Sequence, residues 1–183
     1  MNIVLKIIKI LDRLTEIIGK SVACFAVIMV LVTCYVVISR YVFNTGSVAI
    51  QESVNYFNAI LVFASVGYTL KHNGHVRVDI IYGPASARYK IWLNLLGSIL
   101  LLIPVAVFIL VASWDYVMSS WAIMEDSPEA NGLPFVYLLK SIIPLMCILL
   151  LLQGFAELLR NLSLLLSPDI SILNIKEEES SAL

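Results

Sequence analysis

Four stretches of the chain stay apolar for about 20 residues, the length a helix needs to cross a hydrocarbon core about 30 Å thick. They cover residues 21–39, 48–70, 91–114 and 134–159. The first and third carry no Asp, Glu, Lys or Arg, and the third can continue to Met118. The second contains a single ionisable group, Glu52; the fourth has Lys140 near its start and Glu157 near its end. A lysine near a helix end reaches the interface with its ammonium, so Lys140 does not break the fourth span. A membrane barrel alternates apolar and polar positions along short segments, and these solid runs do not. Residues 1–20 follow another rule. Lys6, Lys9, Arg13, Glu16 and Lys20 recur at steps of three and four, and Ile3, Ile7, Ile10, Leu14 and Ile17 fill the opposite side. That spacing predicts an amphipathic helix lying in the interface and then turning into the first span; a plain extension of that span is the alternative. From Pro168 the chain is polar, and residues 166–183 are predicted to be a disordered tail. The expected architecture is therefore all-α, with an amphipathic interfacial helix (1–20), a four-helix transmembrane domain (21–165) and a tail.

Arg40, Tyr41, Val42 and Phe43 follow the first run, with no small-x-small cleavage pattern, so that run is read as a retained span. Orientation follows from the short loops. Of the 12 Lys and Arg residues, all but Arg40 and Lys140 fall on the side that holds both termini. Both termini are thus expected in the cytoplasm, and the acidic loop Glu125, Asp126, Glu129 lies on the opposite side. Composition agrees: 60% hydrophobic and 14% charged residues is too apolar for a water-soluble domain. A net charge of −1 offers no basic field for nucleic acid. Cys24, Cys34 and Cys147 lie inside apolar runs with no CxxC or Cys/His spacing, which makes them small packing residues.

The spans offer little chemistry. No histidine lies within one, and no nucleotide-binding, zinc-protease or hydrolase motif occurs. No catalytic residue, cofactor or metal is expected; His72 and His75 flank a flexible Gly74 and read as a solvated turn. Glu52 is the exception. With Asn55, Asn58, Ser65 and Thr69 it forms a polar stripe along the second span, which should face protein and not lipid. Glu52 either binds a proton, ion or cationic substrate, or pairs with Arg40 or Lys140 at the same depth and fixes helix packing; the second reading is preferred. Asp115 sits between Trp114 and Tyr116 in an aromatic belt, as an interfacial group or a partner for Lys140. Pro104 and Pro144 predict kinks. Four spans with one polar stripe leave little room for a substrate cavity, which favours an accessory subunit over a complete carrier. The competing reading is a self-sufficient small proton-coupled carrier that uses Glu52.

The run RYVFN at residues 40–44, Gln51-Glu52 opening the second span, and HVRVDI at residues 75–80 resemble the small membrane (DctQ-type) subunit of TRAP, or tripartite ATP-independent periplasmic, transporters. Residues 52–80 and the approach to the fourth span, EDSPEANGLPFVYLLKSIIPL, extend the resemblance to about residues 10–165. Such subunits often have a tryptophan just before the glutamate; here Val48, Ala49 and Ile50 stand there. The resemblance implies a bacterial inner-membrane complex. In it a periplasmic solute-binding protein delivers a small organic acid to a large polytopic membrane subunit driven by a sodium gradient. It also implies that the small subunit holds neither substrate nor sodium but anchors the large one. On that reading Arg40, Glu52, Asn55, Asn58, Asp115 and Lys140 are packing and orientation residues.

Overall fold

The computed structural model describes residues 2–75, 82–83 and 86–166. Within them the chain is helical, and four stretches are long and apolar enough to cross a membrane. Helix α1 (Asn2–Tyr41) runs unbroken through both the amphipathic segment and the first span. The expected turn between them does not form. No proline interrupts residues 2–41, and Gly19 is the one glycine among them, so nothing in the backbone breaks the helix there. The chain reverses through residues 42–47, where Asn44 takes φ 51°. Asparagine tolerates that left-handed conformation better than most residues.

The second span is two helices, α2 (Val48–Ala64), capped by the Ser47 hydroxyl, and α3 (Val66–Lys71), separated by a single turn residue, Ser65. The third is α4 (Ala87–Gly97) and α5 (Ile103–Ala122) joined by a π-helical turn, Ser98–Leu102. Pro104 explains that turn. Proline has no N–H to give and its ring crowds the carbonyl four residues earlier. The helix widens just before it, and the Ile103 N–H donates to the Ser98 carbonyl, five residues back. The last helix, α6 (Val136–Leu166), continues through Pro144 and reaches seven residues beyond the expected end of its span at 159.

Helix α6 is the centre of the fold and packs against every other helix. Its inward stripe includes Cys147, Gly154 and Asn161, one residue every two turns, together with Gln153 and Ala156. Between apolar helices the hydrophobic effect gives no advantage over lipid, so close backbone approach through small residues has to supply the contact. Gly154 makes this possible: a Cβ there would lie 2.5 Å from Leu102 Cδ2 of the π turn. Helices α1 and α2 pack together on one side of α6, with Phe25 and Phe57 rings 5.8 Å apart, while α4 and α5 cover another side. The outward faces carry large apolar residues such as Val30, Leu31, Leu100, Phe108 and Val111, as lipid-facing helices require. Residues 12–20, 71–72 and 153–161 meet at one end of the bundle; residues 40–52 and 121–140 form the other. The start of α1 and the end of α6 therefore belong to the same end, the lysine-rich one.

Candidate functional site

Polar side chains gather at the two ends, and each end is built differently. At the lysine-poor end Glu52 lies little more than a turn into α2. Its Oε1 accepts a short hydrogen bond from the Ser127 hydroxyl, and its Oε2 accepts from the Leu133 backbone N–H at 2.7 Å. Both donors belong to the loop between α5 and α6. That loop is folded on itself: the Glu129 N–H donates to Ser127 Oγ (3.1 Å) and the Val136 N–H to the Glu125 carbonyl (3.1 Å). Met124 and Asn131 take positive φ, 46° and 64°. Gly132 is required where it stands, because a Cβ would lie 2.8 Å from Glu52 Oε2 and 2.3 Å from Ser127 Oγ. Glu52 thus clasps a loop. It pairs with neither Arg40 nor Lys140, contrary to the preferred sequence reading.

Lys140 is taken by Glu125. The two are 2.5 Å apart, and the ammonium stands 4.1 Å from the centre of the Tyr116 ring. The hydrogen bond from Lys140 holds the Glu125 carboxyl below the usual carboxylate range. Asp115 is exposed, as are Trp114 and Tyr116 beside it, and it is not Lys140's partner. Trp121 donates from Nε1 to Ser141 Oγ at 2.7 Å and stacks edge-on with Tyr137, tying α5 to α6 just beneath the loop. Arg40 is exposed and forms no ion pair among the described residues. Asn55 and Asn58 are exposed on α2, and with Gln51 and Val62 they mark one face of it that the other described residues leave uncovered.

The lysine-rich end holds a cluster that sequence reasoning missed. Arg160 of α6 grips Asp12 of α1 through both carboxylate oxygens, at 2.8 and 2.6 Å, and also donates to Glu157. Gln153, completely buried, donates to Asp12 Oδ1 (3.1 Å) and accepts from the Thr15 hydroxyl (2.7 Å). Next to it Glu16 receives Lys71 (2.5 Å), Lys20 (3.0 Å) and His72 (3.1 Å). Hydrogen bonds from Lys71 first, then His72 and Lys20, hold the Glu16 carboxyl down at about 2. The segment read as an amphipathic helix thus presents Asp12, Thr15 and Glu16 to the ends of α3 and α6. The signal available was the i, i+4, i+7 spacing of Gln153, Glu157 and Arg160, which puts all three on one helix face.

Neither end brings a nucleophile, base and oxyanion donors together, and among the described residues no three His, Cys, Asp or Glu side chains stand close enough to hold a metal ion. Comparison with known proteins gives a consistent picture. Residues 29–164 match the family model described as "Tripartite ATP-independent periplasmic transporters, DctQ component". A curated relative, the C4-dicarboxylate TRAP transporter small permease protein DctQ of Vibrio cholerae serotype O1, is 27% identical over 120 residues, covering 63% of this chain. The chain spans about half the length of that relative, 51%. No solved structure matches.

Proposed function

The chain belongs to the DctQ component family of tripartite ATP-independent periplasmic transporters, and from that premise we propose that it is the subunit that anchors the large membrane subunit of such a transporter. The complex is a sodium-coupled importer of a small organic acid delivered by a periplasmic solute-binding protein. The name of the Vibrio cholerae relative makes C4-dicarboxylates the first substrates to try. The family works in the inner membrane, and four spans suit that place. Recognition of the acid falls to the other two components, since the small subunit offers ionic clusters consumed by its own folding.

One observation carries this reading. Asn55 and Asn58 lie inside an apolar span, yet both are exposed and neither side chain hydrogen-bonds a described residue. An unpaired amide facing hydrocarbon costs several kcal/mol on transfer scales, so a protein surface has to meet it. A transmembrane helix of the large subunit with hydrogen-bonding side chains satisfies the requirement. Each such bond contributes about 0.6–2 kcal/mol between helices, so two are worth roughly a tenfold to thousandfold change in association.

The test is affinity purification of the tagged chain from its native membrane in mild detergent, with partners identified by mass spectrometry. A large polytopic membrane protein should accompany the wild-type chain, and the N55L/N58L pair should reduce its recovery at least about tenfold while the chain itself still inserts and melts normally. A chain that purifies alone and transports in vesicles unaided, with transport abolished by Glu52→Gln, would instead establish the small-carrier reading.

A further inference from the structure

Helix α1 is longer than the membrane requires. Glu16 pairs with Lys71 at the end of the second span, which sets Glu16 at the lysine-rich face of the hydrocarbon. From there Ile10, Ile7 and Ile3 stand about 9, 13 and 20 Å further out along the helix axis. Headgroups account for about 5–7 Å on each side of the core. Even at a tilt of about 40°, the steep end of the usual range, Ile7 and Ile3 stand clear of them.

This protruding part nevertheless keeps an apolar side. Ile3, Ile7, Ile10, Leu14 and Ile17 recur at steps of four and three and are 38–74% exposed. Ile8, Thr15 and Gly19 are the residues turned to the bundle, where they are buried. The exposed stripe is therefore a second apolar face, the kind of seam on which another segment packs. Along its far edge run Lys6, Lys9 and Arg13, all exposed and none in an ion pair with a described residue. Lys20, the remaining cation of the segment, is already on Glu16.

The chain carries a segment of matching chemistry. Residues 167–183, which follow α6, contain Ile170, Ile172, Leu173 and Ile175 and then Glu177, Glu178 and Glu179, the only run of three carboxylates in the sequence. That segment starts beside the stripe. Gln153 meets Thr15, the two helices run antiparallel, and Leu166, thirteen residues on, comes level with the start of α1. The reach is sufficient, since the stripe from Ile3 to Ile17 is about 21 Å long and the chain from Leu166 to Glu177 extends to about 36 Å. We propose that residues 167–183 fold back on the outer part of α1, with Ile170, Ile172, Leu173 and Ile175 on the isoleucine stripe and the three glutamates among Lys6, Lys9 and Arg13. Alone, a segment of this composition stays disordered, as the sequence reading expects; a tether of this length holds it at about millimolar effective concentration over a charge-matched face, where weak contacts suffice. The docked segment supports a helix end that otherwise stands alone in water. The inference rests on the membrane placement of the chain and not on the transporter reading.

The test follows hydrogen exchange of the full chain in nanodiscs of dioleoyl-phosphatidylcholine, a lipid without net charge. Truncation after Leu166 should speed exchange of the amides between Leu5 and Asp12 at least about fivefold and leave those of the first span unchanged. E177K/E178K/E179K should have the same effect with the segment intact, and adding K6E/K9E/R13E should restore slow exchange. A carbodiimide, which joins an ammonium to a carboxylate it touches, should link Lys6 or Lys9 to Glu177, Glu178 or Glu179 within one chain. Exchange indifferent to truncation, or no recovery in the combined charge swap, would overturn the proposal. Links found only between isotope-labelled and unlabelled copies would replace it with a dimer contact. Protection that depends on added dioleoyl-phosphatidylglycerol and not on residues 167–183 would assign the stripe to the membrane surface. Loss of the links in the complex purified with a large membrane subunit would assign it to that subunit.

Discussion

The two ends of this bundle spend their polar groups in opposite ways. At the lysine-rich end, charges from α1, α3 and α6 satisfy one another: Asp12 with Arg160, Glu16 with Lys71, Thr15 and Asp12 with Gln153. At the other end one carboxylate on α2 folds a loop, Lys140 joins the same loop through Glu125, and the side chains of Arg40, Asp115, Asn55 and Asn58 have no partner among the described residues. In a membrane protein stability and assembly draw on the same few polar contacts. Here they are separated in space. One end ties the first helix to the last, and on the proposed reading the polar face along α2 meets another polypeptide.

The sharpest way to break that contrast is at Arg160. Replacing it with Ala leaves Asp12 and Glu157, both mostly withdrawn from solvent, as unpaired carboxylates beside the buried Gln153. Removing one partner of a buried ion pair costs about 3–5 kcal/mol; the residual exposure here places the loss at the low end, about 3 kcal/mol. Thermal unfolding in lipid nanodiscs should register this as the largest drop of any single polar substitution in the chain. Asp12→Asn in the Arg160→Ala background should recover part of it, since one stranded charge is then gone. Additive losses would mean that the two residues do not act through each other.

A smaller and more local effect is expected from Glu52→Ala. It leaves the Ser127 hydroxyl and the Leu133 N–H without their acceptor, and the loop loses the group around which it is folded. Hydrogen exchange should show the Leu133 amide opening at least about tenfold faster, as the loss of a charge-assisted hydrogen bond entails. Amides around Gln153 at the far end should be unaffected. If this loop also contributes to docking, recovery of partner proteins should fall further than substrate affinity does. A uniform rise in exchange along α6 would show the two ends to be coupled, and the separation drawn above would fail.

How much of this was legible in the sequence depended on whether the signal was local. The four spans were readable from run length alone, because a membrane imposes a minimum length that no tertiary contact can change. Pro104 announced a defect in the third span, and the π turn is the form it took. Glu52 stood out as a lone ionisable group in an apolar run, but its partners did not. A serine hydroxyl and a backbone N–H carry no charge pattern, whereas Arg40 and Lys140 did and drew the pairing towards them. The lysine-rich cluster was harder still. Asp12 is one acidic residue in a basic segment, Lys71 and Arg160 count only towards the charge of one side, and the contact between Asp12 and Arg160 spans 148 positions. Only the path of α1, straight through where a turn was expected, brings them together. The tail and residues 76–81, where Arg77 and Asp79 fall, lie outside the described residues.

Acid should sharpen the comparison with the least disturbance. The Glu16 carboxyl is held at about 2, below its ordinary 4.5, by Lys71, His72 and Lys20. A folded-state value below the unfolded one means that the stabilisation is fully present above pH 4.5 and disappears as pH falls through that value toward 2. The melting temperature of the wild-type chain should therefore decline across that window. Glu16→Gln should start lower at neutral pH and decline less, so that the two curves converge in acid. Glu16 lies at the open edge of the cluster, where water and salt screen its pairs, so the effect should be smaller than that of Arg160→Ala and should shrink further at high ionic strength. The test discriminates because Arg160 is held by Asp12, one helical turn from Glu16 along α1: E16Q should flatten the pH profile while leaving the penalty for removing Arg160 nearly intact. Parallel pH curves for wild type and E16Q would assign the acid sensitivity to another carboxylate.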